Sequence, residues 1–218
     1  MALVVDNLTL KRGERTIIDG LSFRAERGEA LLLTGANGSG KTTVLRALAG
    51  LLVPDGGRID LAGEADEGAH GIGEHCHFIG HLNGFRPALT VAENADFWAD
   101  YLGGSRAGVT AALEHFRLAE LAPIQSGYLS AGQKRRLGLA RLLLAKRPVW
   151  LLDEPAVSLD TASQQLLAEA VGQHLATGGI VVASTHQPLG FAPAREHRLG
   201  RVGPAAAVAS EKAPKDTP

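Results

Sequence analysis

The sequence predicts an α/β protein: a mainly parallel sheet core, an antiparallel β part at the N-terminus, and a helical subdomain inserted into the core. Three observations predict it. Short apolar runs of strand length, Leu31–Leu33, Val149–Leu152 and Ile180–Ser184, alternate with stretches of helical periodicity, as a sheet covered by crossover helices requires. Ala2–Leu10 and Thr16–Ala25 instead alternate apolar and polar residues around the turn Lys11-Arg12-Gly13-Glu14, the pattern of an antiparallel pair. From Pro87 to Lys146 the texture is helical throughout. The expected division is therefore residues 1–86 and 147–202 as the core, 87–146 as the helical subdomain, and 203–218 as a disordered tail without periodicity.

A chain of 218 residues can bury a substantial core. Its net charge of −1, from 22 basic and 23 acidic residues, offers no basic stripe, so no nucleic-acid partner is expected. One cysteine, Cys76, excludes an internal disulfide framework. The first residues turn polar too soon for a signal peptide. No apolar run approaches the ~18 residues that span a bilayer. The longest candidate, Leu137–Leu152, is broken by Arg141, Lys146, Arg147 and Pro148. Any membrane role is expected to come through a partner.

Taken in order, the two N-terminal strands lead through Glu26-Arg27-Gly28 to the buried strand at Leu31–Leu33. A glycine-rich turn follows, then a helix from Lys41 with Val44, Leu45, Leu48 and Leu51 at helical spacing. Pro54-Asp55-Gly56-Gly57 turns the chain into a short strand, Arg58–Leu61. Ala62–Glu74 reads as a surface loop, and Cys76–Gly80 as a strand. Helices are predicted at Thr90–Leu102, Ala107–Leu121, Ala131–Ala145 and Thr161–Ala176, with Phe97, Trp98 and Tyr101 of the first most simply core, an exposed member being available to grip a membrane partner.

Gly35, Gly40, Lys41 and Thr42 fit the phosphate-loop pattern in its required strand–turn–helix setting. Gly35, Gly38 and Gly40 let backbone N–H groups close on an anion, and the helix N-terminus aims its dipole at the same point. Lys41 is placed to reach the β- and γ-phosphates of a nucleotide, and the Thr42 hydroxyl to ligate Mg²⁺. Downstream, Trp150-Leu151-Leu152-Asp153-Glu154 is an apolar strand ending on two carboxylates. Asp153 is expected to hold the metal and Glu154 to act as general base toward the attacking water.

Leu129-Ser130-Ala131-Gly132-Gln133 opens another helix, with Ser130 as its natural N-cap. This segment resembles the signature motif of ATP-binding-cassette (ABC) ATPases, usually Leu-Ser-Gly-Gly-Gln. The order of phosphate loop, helical block, signature, acidic strand end and downstream histidine is similar to that family from Ala2 to about Arg201. The resemblance implies a P-loop NTPase fold of ABC type and an ATPase using ATP and Mg²⁺. It implies that Gly35, Ala36, Asn37, Gly38, Ser39, Gly40, Lys41, Thr42 and Thr43 hold the phosphates. Val157-Ser158-Leu159-Asp160 resembles the loop that touches a partner subunit, and His186 the switch histidine on the γ-phosphate. In this family the signature of one copy closes over the nucleotide of the other. Ser130, Gly132 and Gln133 are therefore expected to bind ATP in trans within a homodimer of cassettes.

Two positions depart from the family pattern. Arg12 stands where an adenine-stacking aromatic is usual, and a guanidinium can stack on a base instead. His81 stands where a glutamine usually supplies a metal-and-water ligand, and His81 or a neighbouring backbone carbonyl is the expected stand-in. His75 and His77 face one side of an extended strand and Cys76 the other, so these three are not expected to converge on a metal.

Phe78-Ile79-Gly80-His81, Leu89-Thr90-Val91-Ala92-Glu93-Asn94 and Ser184-Thr185-His186-Gln187-Pro188 resemble the ATP-binding subunits of bacterial haem exporters used in cytochrome c maturation. That likeness implies a peripheral ATPase on the cytoplasmic face of the inner membrane, partnered by membrane-spanning subunits and haem pathway proteins. The alternative is the ATPase of another small exporter. A soluble non-transport ABC protein fits less well, because there is one cassette and no heptad run.

Overall fold

The computed structural model describes residues 1–63, 72–186, 189 and 195–200. In chain order the strands are β1 (Ala2–Arg12), β2 (Arg15–Glu26), β3 (Ala30–Thr34), β4 (Gly56–Ala62), β5 (Cys76–Ile79), β6 (Val149–Asp153), β7 (Ile180–Ser184) and β8 (Arg195–Arg198). The helices are α1 (Lys41–Leu48), α2 (Val91–Tyr101), α3 (Val109–His115), α4 (Ala131–Ala140) and α5 (Thr161–Ala176).

β1 pairs antiparallel with both β2 and β4, giving the order β2-β1-β4. Its buried residues change phase along the strand: Leu3 and Val5, then Leu8 and Leu10, all face the core. Strict alternation cannot do this. A register irregularity between Val5 and Leu8, with Asn7 at φ 50°, inserts the extra residue that restores the inward face.

The second sheet runs β5-β6-β7-β3-β8, with every neighbouring pair parallel. Its central strands are apolar on both faces, as a sheet covered on both sides must be. Leu31, Leu33, Val149, Leu151, Ile180 and Val182 pack with Val44, Leu45 and Leu48 of α1 and with the inward residues of β1. On the other face Trp150, Leu152, Val181 and Ala183 pack with Leu167, Ala170 and Val171 of α5 and with Leu137 and Leu139 of α4.

Several boundaries differ from the sequence expectation for identifiable reasons. α1 stops at Leu48, because Gly50 takes φ 71° and the N–H of Leu51 closes back on the Arg46 carbonyl. α3 covers only Val109–His115, ended by Arg117 at φ 53°. α4 tightens at Arg141–Leu143 into a 3₁₀ turn. Of the α2 aromatics, Trp98 is half-buried and packs against the core, whereas Phe97 and Tyr101 are exposed, because the buried stripe is Val91, Asn94, Ala95 and Ala99. β8 was not anticipated, since Arg-Glu-His-Arg contains no apolar residue. The expected loop at Ala62–Glu74 yields Ala62 to β4 and residues 73–75 to a 3₁₀ turn, while 64–71 and the expected tail 203–218 lie outside the described residues.

Candidate active site

The carboxyl ends of β3, β7 and β6 meet at one point, because β7 lies between the other two. β3 runs directly into the glycine-rich turn, and Gly40 at φ 98° is the N-cap of α1. A Cβ on Gly40 would lie 2.8 Å from Ile18 Cδ1, and one on Gly35, at φ 141°, would lie 2.7 Å from Ser39 Oγ and 2.8 Å from the Leu199 carbonyl. Glycine is needed at both for conformation and for space. The unanticipated β8 matters here: the N–H of Leu199 bonds the Thr34 carbonyl at 2.8 Å, and the Leu199 carbonyl packs on Gly35.

Lys41 is buried and reaches back over its own loop, with Nζ donating to the Gly35 carbonyl at 2.9 Å and lying 3.4 Å from that of Ala36. Ser39 Oγ is buried in the same turn without a hydrogen-bond partner. The next hydroxyl, Thr42 Oγ1, donates to Asp153 Oδ2 at 2.8 Å across 111 residues of sequence. The other oxygen, Asp153 Oδ1, accepts from the fully buried Ser184 Oγ at 2.6 Å. Asp153 and Ser184 are register partners on adjacent strands, so strand pairing itself places that bond.

Glu154 follows at φ 48°. A left-handed conformation at a non-glycine residue costs about 1–2 kcal/mol. Its N–H donates to the Ser184 carbonyl at 2.8 Å. Its carboxylate accepts from the His186 N–H at 3.3 Å, and Oε1 lies 3.5 Å from His186 Nε2. Glu154 and His186 line a cavity of about 920 Å³ together with Lys41, Thr42, Asp153, Asn37, Gly38, Thr43, His81, and Arg12 with Arg15 flanking the β1–β2 turn. Arg12 and His81 are exposed within it.

Ser130, Gly132 and Gln133 are not among the described residues lining that cavity. Ser130 is the N-cap of α4 in a reciprocal capping box: Gln133 N–H donates to Ser130 Oγ at 3.2 Å, and Ser130 N–H to Gln133 Oε1 at 2.8 Å. Gly132 lies against the 157–160 turn, where a Cβ would meet the Ser158 carbonyl at 3.0 Å. Asp160 caps α5 by accepting from Ser163 N–H at 2.8 Å, and hydrogen bonding from the Ser163 side chain, then from its backbone, lowers the Asp160 pKa.

Two neighbours of the site were missed from sequence. Ser184 is the polar end of an apolar strand, and only the strand order shows what it faces. Arg135 sits in a charged run, yet it is 4% exposed and bonds the backbone of Asp153, Glu154 and Pro155. His77 and Cys76 are both buried in β5: His77 Nε2 lies 2.8 Å from the Ala145 carbonyl oxygen, and Cys76 Sγ 3.1 Å from that of Ile72.

A phosphate loop on a parallel sheet, with an acidic strand end hydrogen-bonded to its threonine, defines a P-loop nucleotide-binding ATPase. The chain belongs to the ABC transporter family, which it matches over residues 18–157, and it is an ATPase subunit of that family. It is 48% identical over 200 residues to the cytochrome c biogenesis ATP-binding export protein CcmA of Chelativorans sp. (strain BNC1), covering 92% of this chain and 98% of the relative. The protein of the same name from Nitrobacter winogradskyi is 49% identical over 200 residues, with the same coverage. Among solved structures, a putative ABC transporter ATP-binding protein from Pyrococcus furiosus shares the fold with TM-score 0.77 at 23% identity, covering 91% of this chain and 98% of that one. A bacterial Atm1-family ABC exporter with ATP bound superposes with TM-score 0.75 at 24% identity, covering 92% of this chain and 38% of that one.

Proposed function

We propose that this ATPase drives haem export for cytochrome c maturation, docked on separate membrane-spanning subunits at the cytoplasmic face of a bacterial inner membrane. The names of its relatives support the pathway. The observation that carries the chemistry is the junction of Thr42, Asp153 and Ser184 beside Glu154 and His186. Residues Gly35 to Thr43 bind the phosphates through backbone N–H groups, and Lys41 swings from the Gly35 and Ala36 carbonyls to the β- and γ-phosphates. Arg12 stacks on the base from the β1–β2 turn.

Thr42 and Asp153 present hard oxygens 2.8 Å apart, a donor set that suits Mg²⁺, and His81 lines the same cavity as a further candidate. When bound, Mg²⁺ supplies neutralisation of charge developing on the phosphates. Glu154 orients and deprotonates the attacking water, and His186, held against that carboxylate, contacts the terminal phosphate. Two copies face each other, so that Ser130, Gly132 and Gln133 of one close on the nucleotide of the other. Residues 87–146 act as a subdomain on the core of 1–86 and 147–202. Among the described residues no helix is long and apolar enough to cross a membrane. Phe97 and Tyr101, exposed and stacked at 6.1 Å between centroids, supply apolar surface for the membrane partner.

The test is Glu154→Gln incubated with Mg-ATP. It is expected to retain ATP, lose turnover by about 10²–10⁴-fold and run as a dimer with two nucleotides. A monomer with bound ATP refutes closure in trans, and wild-type turnover removes Glu154 from the base role. Haem-unrelated membrane proteins co-purifying with the chain would reassign the cargo.

A further inference from the structure

The proposed catalytic roles leave Arg135 unused. Its guanidinium is almost fully buried, and burial lowers its pKa against the pull of the Asp153 and Glu154 carboxylates. Its hydrogen bonds go to two separate segments, residues 153–155 and residues 80–83. Nε donates to the Pro155 carbonyl at 3.0 Å, and Nη2 to those of Glu154 at 2.9 Å and Asp153 at 3.2 Å. Nη1 donates to the Gly80 carbonyl at 2.8 Å and to Asn83 Oδ1 at 3.1 Å. One side chain of α4 thus spans the segment carrying His81 and the strained residue carrying the candidate base. A second contact joins α4 to the segment of residues 80–83. Gly138 leaves room for the Asn83 amide, where a Cβ would lie 3.0 Å from Oδ1. Burying a cation among neutral acceptors is costly, so the geometry it fixes is the feature to explain.

We propose that Arg135 is a positioning residue that sets the Glu154 backbone relative to residues 80–83, and so couples hydrolysis to the placement of α4. This rests on the reading of Glu154 as general base. Arg135 lies five residues after Ser130 on the same helix. Movement of that helix tip, as it engages a second copy's nucleotide, therefore reaches Glu154 of its own chain through rigid hydrogen bonds.

The experiment compares Arg135→Gln, Arg135→Lys and Asn83→Ala in the full chain assembled with its membrane partners. ATP affinity is expected to stay within about threefold of wild type, because no phosphate-loop contact changes. Turnover is expected to fall about 10- to 100-fold in Arg135→Gln, as for a displaced catalytic group. Arg135→Lys should recover part of this loss, and Asn83→Ala should lose about two- to fivefold. In a Glu154→Gln background, Arg135→Lys should lower residual turnover no further. Wild-type turnover in Arg135→Gln overturns the proposal, as does a parallel loss of affinity and turnover that tracks thermal stability. Should Arg135→Gln not fold, Asn83→Ala decides: unchanged turnover there overturns the proposal. Failure of the base reading is distinguished by Glu154→Gln alone retaining wild-type turnover.

Discussion

Ser184→Ala isolates one bond at the heart of the site. The serine is 0% exposed and its hydroxyl donates to Asp153 Oδ1 at 2.6 Å, while Thr42 donates to the other oxygen. Alanine fits the same space, so no cavity or clash complicates the comparison. Asp153 is itself only 6% exposed, and its Oδ1 faces the fully buried Ser184 hydroxyl. A hydrogen bond to a charged group contributes about 1.5–3 kcal/mol, and leaving a buried oxygen unpaired costs a similar amount. The variant should therefore be less stable by roughly 2 kcal/mol. In urea, with a slope of about 2 kcal/mol per molar, the unfolding midpoint should fall by about 1 M at unchanged slope. Nucleotide-free protein at neutral pH is the sample to use, because bound nucleotide would add its own stabilisation. A midpoint within about 0.2 M of wild type would show that Ser184 does not support the Asp153 carboxylate, and the strand-register account of the site would fail with it.

Two further outcomes can be checked independently. Arg12→Ala should weaken ATP about two- to fivefold by titration calorimetry, the size of an exposed cation–π contact, and Arg12→Tyr should restore the affinity; no change in Arg12→Ala would remove it from the base contact. Burial pushes the His77 pKa from 6.5 down to about 4, although its bond to the Ala145 carbonyl opposes the shift. Between those values the unfolded chain takes up a proton that the folded chain refuses, so the His77 contribution to stability should be full above about pH 6.5 and decline toward pH 4, by up to about 1.4 kcal/mol per pH unit. It adds to a like contribution from His174, whose pKa burial also lowers to about 4. In denaturant titrations across that window His77→Gln should flatten the slope by about one proton, and an unchanged slope would contradict the assignment.

The parts of the site that were legible in the sequence are those whose chemistry is local. A glycine-rich turn between an apolar strand and a helix can be read without a fold, because its backbone N–H groups and its lysine act within a few residues of each other. The same holds for the N-cap at Ser130 and for the two acids that end β6. The unread parts depend on which strands are neighbours. Ser184 matters only because β7 sits between β3 and β6, and residues 111 apart meet there as Thr42 and Asp153. β8 is held through backbone pairing with β3 and has no apolar residue to announce it. Phe97, Trp98 and Tyr101 have the spacing of a buried stripe, but the smaller stripe of Val91, Asn94, Ala95 and Ala99 takes the inside, and of the aromatics only Trp98 packs against the core. Lys134-Arg135-Arg136 looks like a solvated run, yet Arg135 enters the core and Arg136 bonds the carbonyls of Phe116 and Arg117. Local chemistry thus reveals which groups handle phosphate, whereas the groups that hold them in register become visible only when the strand order is known. For that reason Ser184 and Arg135, rather than the phosphate loop, are the positions where mutation most directly tests the geometry.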